Sequence, residues 1–515
     1  MKKQYILSRR IYVLAFIMAS LAALAAAQGQ GQGQAPTAGG HQEQPSMKGA
    51  VIKGKAPVNK EVLKVQLPKP YETKLANGLQ VIVLENHKLP TFSMQMVILS
   101  GGLADAPGEA GAAQYVASML REGTKTRTSR QIAEDTDKLG ASLSSNATYS
   151  SLTTSISASG LEDNFDQVLD LFADVILNPV FPADELNKLK TRALASIRLQ
   201  RASPSFLSNE RFQRAIYGSH PASRVALTPE EIQSLTPEIL QKYYAVHYRP
   251  NNAIFAISGD VKPSEVLAKL EKAFTSWKPG VVPKTKITKA PEQAASKVYL
   301  IDRPNSAQVN VVLGTLAIER KDPDYFPLEV MNQVLGGGPA ARLFLNLREE
   351  KSYTYGAYSG VSSYKYRGTF RANTEIRQDV LKPAIGELIK EIKRIRDEKI
   401  PAAELEAAKR TIIGGWALQL EYPQSMLSDI ITRKIFGLPA DYWDKYPEKI
   451  AAVTPEEAQR VARKYLALDK LQIVVVGDAK TIAESLKDFG KVEVYKTDGK
   501  PISAPAASTG AEGNK

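Results

Sequence analysis

Leu235-Thr236-Pro237-Glu238 and Val453-Thr454-Pro455-Glu456 are one phrase written twice. Each is followed by an amphipathic helix, which closes on Lys242-Tyr243-Tyr244 in the first case and on Lys464-Tyr465 in the second. An apolar strand then ends in Gly259-Asp260 or in Gly477-Asp478. The Thr-Pro and Gly-Asp landmarks are both displaced by 218 positions, from 236 to 454 and from 260 to 478. A further helix follows each Gly-Asp, over residues 265–274 and 482–489. Spacing shared over several elements marks an internal duplication.

The front of each copy reads as strands. Asn77-Gly78 is a turn signal, followed by alternation at Leu79, Val81 and Val83. Phe92, Met94, Met96 and Ile98 then alternate with Ser93, Gln95 and Val97. Residues 298–301 and 309–314 play the same part in the second copy. Ile385, Leu388, Ile389, Ile392 and Ile395 mark one apolar helix face by their spacing. Strands first, helices next and a strand again predict an α+β protein of two homologous domains, each a mostly antiparallel sheet packed with helices. A stretch rich in Pro, Lys and Ala, with Pro279, Pro283 and Pro291, separates the copies. It predicts domains over 69–279 and 297–496, joined by a linker at 280–296.

The length of 515 residues also exceeds one ordinary core, and 43% hydrophobic with 23% charged residues is a soluble globular composition. The net charge of +13 is spread along the chain rather than gathered into arms or stripes, which argues against a nucleic-acid partner. Residues 1–27 read as a cleaved secretory signal, with a retained membrane anchor as the alternative: a basic start, an apolar run over 11–26, and Ala25-Ala26-Ala27 before Gln28. Losing Lys2, Lys3, Arg9 and Arg10 leaves +9. No later segment is long and apolar enough for a transmembrane span. The Gln/Gly/Ala-rich start of 28–68 and the tail at 497–515 read as disordered, because they cannot bury a core. With no cysteine there is no disulfide, lipobox thiol or thiolate metal ligand. A disulfide-free exported chain suits the periplasm, with secretion as the alternative.

Gly101-Gly102-Leu103, then Gly108-Glu109-Ala110-Gly111-Ala112-Ala113, then Met119-Leu120-Arg121-Glu122-Gly123-Thr124 resemble the first helix region of the pitrilysin (insulinase-type) zinc peptidases. Further landmarks follow in family order: Asn178-Pro179, Tyr217-Gly218 with His220-Pro221, and Tyr248 with Pro250-Asn251-Asn252. In active members this helix carries H-x-x-E-H, two imidazoles on one face that bind zinc and a glutamate that serves as general base. Counting back from Met119-Leu120, the five positions here are Gln114-Tyr115-Val116-Ala117-Ser118. Gln114 and Ser118 stand in place of the imidazoles, and Ala117 in place of the base. The family's third ligand, a glutamate on a later helix, falls near Ala195 or Ser196, and no acidic residue occurs over 186–209. The four histidines, His41, His87, His220 and His247, show no helical ligand spacing, and His220 and His247 read as packing or hydrogen-bonding residues. The expectation is that this chain holds no metal.

The second copy keeps another family segment. Gly336-Gly337-Gly338 precedes Arg342-Leu343-Phe344, and Arg348 is followed seven positions later by Tyr355. The triple glycine is no phosphate loop, because no Gly-Lys-Ser/Thr follows it. The resemblance implies that Arg348 and Tyr355 contact substrate, with the three glycines beside them. Guanidinium and phenol donors suit a peptide carbonyl and the oxyanion that develops on it.

In some members of this family the zinc motif and the Arg/Tyr pair are divided between two chains. The resemblance therefore implies half of a clam-like chamber and the non-catalytic subunit of a heterodimeric exported zinc peptidase. Arg348 and Tyr355 would act in trans, and zinc would lie in a homologous partner with an intact H-x-x-E-H motif. Unfolded or short peptides would be the substrates. The alternative is a peptide-binding or scaffolding pseudo-peptidase with no hydrolytic role.

Overall fold

The computed structural model of the chain describes residues 61–502. The signal at 1–27, most of the 28–68 segment, His41 and the end of the tail lie outside them. Fourteen strands are described, and twelve form two six-stranded sheets. The first sheet uses β1 (Tyr71–Lys74), β2 (Gln80–Glu85), β3 (Thr91–Ile98), β4 (Ser142–Asn146), β5 (Thr154–Leu161) and β6 (Ala253–Gly259), in the order β1-β2-β6-β3-β5-β4. The second uses β7 (Lys297–Asp302), β8 (Gln308–Leu316), β10 (Thr354–Val361), β12 (Thr369–Arg377), β13 (Gln472–Gly477) and β14 (Val492–Tyr495). Its order is β10-β12-β8-β13-β7-β14, with the short β9 (Ile318–Glu319) and β11 (Ser363–Tyr364) paired to one side.

The duplication is plain in this topology. β2, β6, β3, β5 and β4 correspond in order to β7, β13, β8, β12 and β10. Parallel pairing occurs at β2/β6 and at its counterpart β7/β13, and the neighbours of β3 and β8 are antiparallel. The copies differ at the outer edge. There β1 pairs antiparallel with β2, whereas β14, from the other end of the chain, pairs parallel with β7.

The repeated Thr-Pro phrases start the helices Pro237–His247 and Pro455–Tyr465. Proline in the first turn costs no hydrogen bond, because the amides there lack helical partners in any case. Thr236 Oγ accepts the amide of Ile239, and Thr454 with Glu457 forms a reciprocal capping box.

The central strands of each sheet are buried on both faces. On β2, Val81 and Val83 face the first domain's own helices, while Ile82 and Leu84 face the other way. Those outward residues are covered by Met426, Leu427, Ile430 and Ile431 of the helix Pro423–Phe436, which belongs to the second copy. The exchange is mutual. Leu207, Phe212, Ile216 and Tyr217 of the helix Pro204–Tyr217 cover Tyr299, Ile301, Val312, Val474 and Val476 on the second sheet. The two clasp helices are each 14 residues long and each begins on proline. A sheet buried on both sides explains why β6 and β13 read as unbroken apolar runs.

The packed chain also begins and ends outside the limits that composition suggests. Val65 and Leu67 pack against the second core, and the amide of Leu67 donates to Asp444 at 3.3 Å. At the other end, the carbonyls of Thr497 and Gly499 accept from Arg201 and Arg211. Val65, Leu67, Thr497 and Gly499 thus each have a partner in the fold that composition alone does not reveal. Residues 280–294 carry no helix or strand.

Phe212 is fully buried beneath the second sheet, with its ring tip where a Cβ on Gly314 would fall, 2.8 Å away. Phe212→Ala is expected to cost about 3–5 kcal/mol in urea unfolding. Leu199→Ala, at a leucine that is mostly exposed, is expected to stay within about 0.5 kcal/mol of the parent.

Candidate functional site

The helix Ala112–Met119 carries the motif positions. Its N-terminus is held by Asp105, whose two carboxylate oxygens accept the amides of Gly111 at 2.7 Å and Ala113 at 2.9 Å. Burial outweighs these donors and the nearby charge of Arg224, and pushes the Asp105 carboxyl up to about 6. Tyr115, Val116, Ala117 and Met119 are core residues, and the Ala117 carbonyl accepts from Ser145 Oγ on β4 at 2.5 Å. Gln114 and Ser118 are half-buried. The Gln114 side chain lies beside Tyr149 and lowers the pKa that burial raises there, while its Oε1 and the Tyr115 hydroxyl are buried without partners among the described residues.

These residues do not fit zinc. An amide, a methyl and a hydroxyl replace two imidazoles and a carboxylate, and neutral oxygens of that kind are not the nitrogen, sulfur or carboxylate ligands that zinc takes. Ala195 and Ser196, on the helix Ala183–Gln200, are exposed and bring no ligand. Among the described residues no group of three His, Cys, Asp or Glu is placed to hold a metal. The described histidines have other partners. His220 Nδ1 accepts the amide of Ala222, so Nε2 donates to the Thr288 carbonyl at 3.0 Å. His247 meets Ser100 Oγ, and His87 meets Asp260. Sequence reading missed Asp105 and Tyr149. The only signal for Asp105 is an acid set shortly before a glycine-led helix.

Tyr355 stands at the start of β10, an edge strand of the second sheet, and Arg348 in the helical turn that precedes it. Arg348 lies in a helical turn, Leu345–Glu350, that opens to i→i+5 hydrogen bonding, with the Lys351 amide on the Asn346 carbonyl. Its guanidinium sits 4.7 Å from the Phe344 ring centre and 3.5 Å from Glu349, and is half exposed. Tyr355 occupies a β-bulge. Three steps along β10, from Thr354 to Ala357, oppose two along β12, from Ile376 to Thr374. Thr354 Oγ holds the bulge by accepting the Gly356 amide and donating to the Glu375 carbonyl. A bulge bends the strand and redirects its side chain, and Tyr355 is 87% exposed.

The three glycines have different reasons. A Cβ on Gly336 would come within 2.4 Å of the Ser359 amide nitrogen, so the helix Tyr325–Gly336 reaches β10 only because that residue is glycine. A Cβ on Gly337 would collide with Gln333, whereas one on Gly338 would make only an ordinary contact with the Gln333 side chain at 3.8 Å. The motif helix belongs to the first core, and the segment carrying Arg348 and Tyr355 borders the second.

The insulinase (peptidase family M16) model matches residues 80–230, and the peptidase M16 inactive domain model matches residues 234–412. The chain belongs to peptidase family M16. An uncharacterized zinc protease of Bacillus subtilis (strain 168) is 27% identical over 397 residues, covering 76% of this chain and 95% of its own. One of Rickettsia bellii (strain RML369-C) is 25% identical over 409 residues, covering 78% and 93%. The crystal structure of a peptidase M16 inactive domain from Pseudomonas fluorescens superimposes with a TM-score of 0.74 at 28% identity, covering 79% of this chain and 98% of its own. A protease from Helicobacter pylori shares the fold, with a TM-score of 0.72 at 20% identity over 80% and 100% of the two chains. A motif helix without imidazole or carboxylate, in an M16 chain of this kind, is consistent with a pseudopeptidase.

Asp105 supplies a test of how the motif helix is held. Its folded pKa lies above the ordinary 3.8, so its contribution to stability is full below that value and is lost as pH rises through about 6. Urea unfolding is expected to show the parent losing more stability between these limits than Asp105→Asn does. Parallel profiles would remove Asp105 as the cause.

Proposed function

We propose that this M16 chain is the non-catalytic subunit of an exported, heterodimeric peptidase, and that it supplies substrate contacts to a partner's active site. The observation that carries this reading is a pairing: a motif helix stripped of metal ligands and base, together with Arg348 and Tyr355 presented to solvent at an unpaired sheet edge. A tyrosine so exposed gains no packing energy from its own fold, whereas Tyr217 and Tyr366 are buried and their hydroxyls donate to backbone carbonyls.

The chemistry follows from the donors. A peptide in extended form can add to the open edge of β10 through main-chain hydrogen bonds. Arg348 and Tyr355 would then offer N–H and O–H donors to a backbone carbonyl of that peptide, and hold it against the partner. Such donors favour a transition state in which negative charge develops on the carbonyl oxygen. The metal and general base are assigned to a homologous subunit with an intact H-x-x-E-H motif. The signal-like residues 1–27 and the absence of cysteine support placing the complex in the periplasm.

Reconstitution tests the proposal. The chain alone is expected to leave unfolded peptides intact, and to raise the chelator-sensitive activity of a motif-bearing homologue when the two are mixed. Peptide hydrolysis by this chain alone that survives a zinc chelator would sink the idea. In the complex, Arg348→Ala and Tyr355→Phe are each expected to slow turnover at least about tenfold, since one oxyanion donor contributes on the order of 10²–10³. Co-elution of the two chains should persist. Unchanged rates in both variants would favour a scaffolding role.

A further inference from the structure

A cleft of about 560 Å³ opens in the second domain, away from β10, between the β9 corner and the connection that follows the clasp helix Pro423–Phe436. Its walls include Phe326, Leu438, Pro439, Tyr442 and Val453, and its volume lies in the range of small-molecule and side-chain pockets. Arg320 also lines it and is only 7% exposed. The backbone fixes this arginine, whose amide donates to the Tyr364 carbonyl at 2.8 Å where β9 meets β11.

The guanidinium is held by rings and a hydroxyl rather than by an ion pair. It lies over the Tyr325 ring at 3.6 Å, stands 5.2 Å from the Tyr442 ring centre, and donates through Nη1 to the Tyr442 hydroxyl at 2.7 Å. It forms no ion pair with any carboxylate among the described residues. Glu329 and Asp429 are close enough to feel its charge, but burial pushes their carboxyls up to about 7 and about 6. Asp429 also accepts from the Trp416 indole at 3.2 Å.

The acids in the cleft wall are engaged elsewhere. Asp322 accepts from the Asp324 amide and the Tyr465 hydroxyl, and Glu457 caps its own helix at Thr454. The exposed Lys321 and Lys449 also line the cleft, neither with an ion-pair partner among the described residues. Lys365, close to Lys321, has its pKa lowered by burial and by that second positive charge. A buried cation is costly unless it is paired. This one is paired only in part, and its cleft is apolar on one side and cationic on the other.

We propose that the cleft binds a carboxylate carried on an apolar or aromatic residue, the chemistry of a peptide's C-terminal end, with Arg320 as the anion contact and the ring of Tyr442 against the side chain. Arg–carboxylate pairing in a partly dry site is strong and geometrically selective. The inference is independent of the heterodimer reading, because it needs neither a partner nor hydrolysis.

Trp443 lies 5.0 Å from Tyr442, ring centre to ring centre, so tryptophan fluorescence of the full chain reports on the cleft, with calorimetry as a second readout. Three probes are titrated: a short alanine peptide ending in phenylalanine with a free acid, the same peptide amidated, and N-acetylphenylalanine. The free acid is expected to bind at least about tenfold more tightly than the amide, and Arg320→Gln to abolish that discrimination. Lys449→Ala, at an exposed position that leaves the fold alone, is expected to weaken the acid about twofold to threefold. If Arg320→Gln does not fold, the acid and amide comparison on the unaltered chain still decides. Equal binding of acid and amide, or binding of neither at about 10 mM, overturns the proposal. N-acetylphenylalanine as tight as the peptide supports a free small carboxylate as the ligand, and a tighter peptide supports a polypeptide end.

Discussion

The fold depends on a mutual burial. The central strands of each six-stranded sheet are apolar on both faces, and the helices of its own half cover only one. The other is closed by a helix lent from the opposite half: Pro204–Tyr217 on the second sheet, and Pro423–Phe436 on the first. Fully burying one large apolar side chain is worth roughly 1.5–3 kcal/mol, and Phe212, Ile216, Leu427 and Ile430 all do so only in this exchange. Neither half can separate without exposing both second faces. The two copies are therefore one thermodynamic object, although the sequence shows them as two.

That asymmetry of legibility has a physical origin. The duplication is readable because its markers are local: Thr-Pro at a helix start, and glycine at a strand end. The α+β class, the mostly antiparallel sheets and the empty motif at Gln114, Ala117 and Ser118 are readable for the same reason. The clasp is not local. Ile82 and Leu84 alternate with Val81 and Val83, and nothing near them in sequence says that residues more than 300 positions later cover them. The bulge that turns Tyr355 outward is equally hidden, since it arises from a register mismatch between β10 and β12. Arg320 gave no signal at all, because its setting is made by Tyr325, Tyr364 and Tyr442 from three separate segments.

The motif helix is held by residues other than those at positions 114 and 118. Its inner residues, Tyr115, Val116, Ala117 and Met119, are bound into the first core, and Asp105 secures its first turn. The fold needs that inner face whatever the helix presents elsewhere. Positions 114 and 118 are less constrained, and a glutamine and a serine sit there without disturbing the packing.

The outer edges of the two sheets are closed by strands from opposite ends of the chain, β1 antiparallel on one and β14 parallel on the other. An unpaired strand edge invites any passing extended segment, and proteins guard against this by capping or shortening it. Here the added outer strands, β1 and β14, are themselves end strands of only four residues each, while β4 and β10 are the matched edges of the duplicated plan. The short strands β1 and β14 thus offer an incoming strand fewer backbone partners than the eight-residue β10 does.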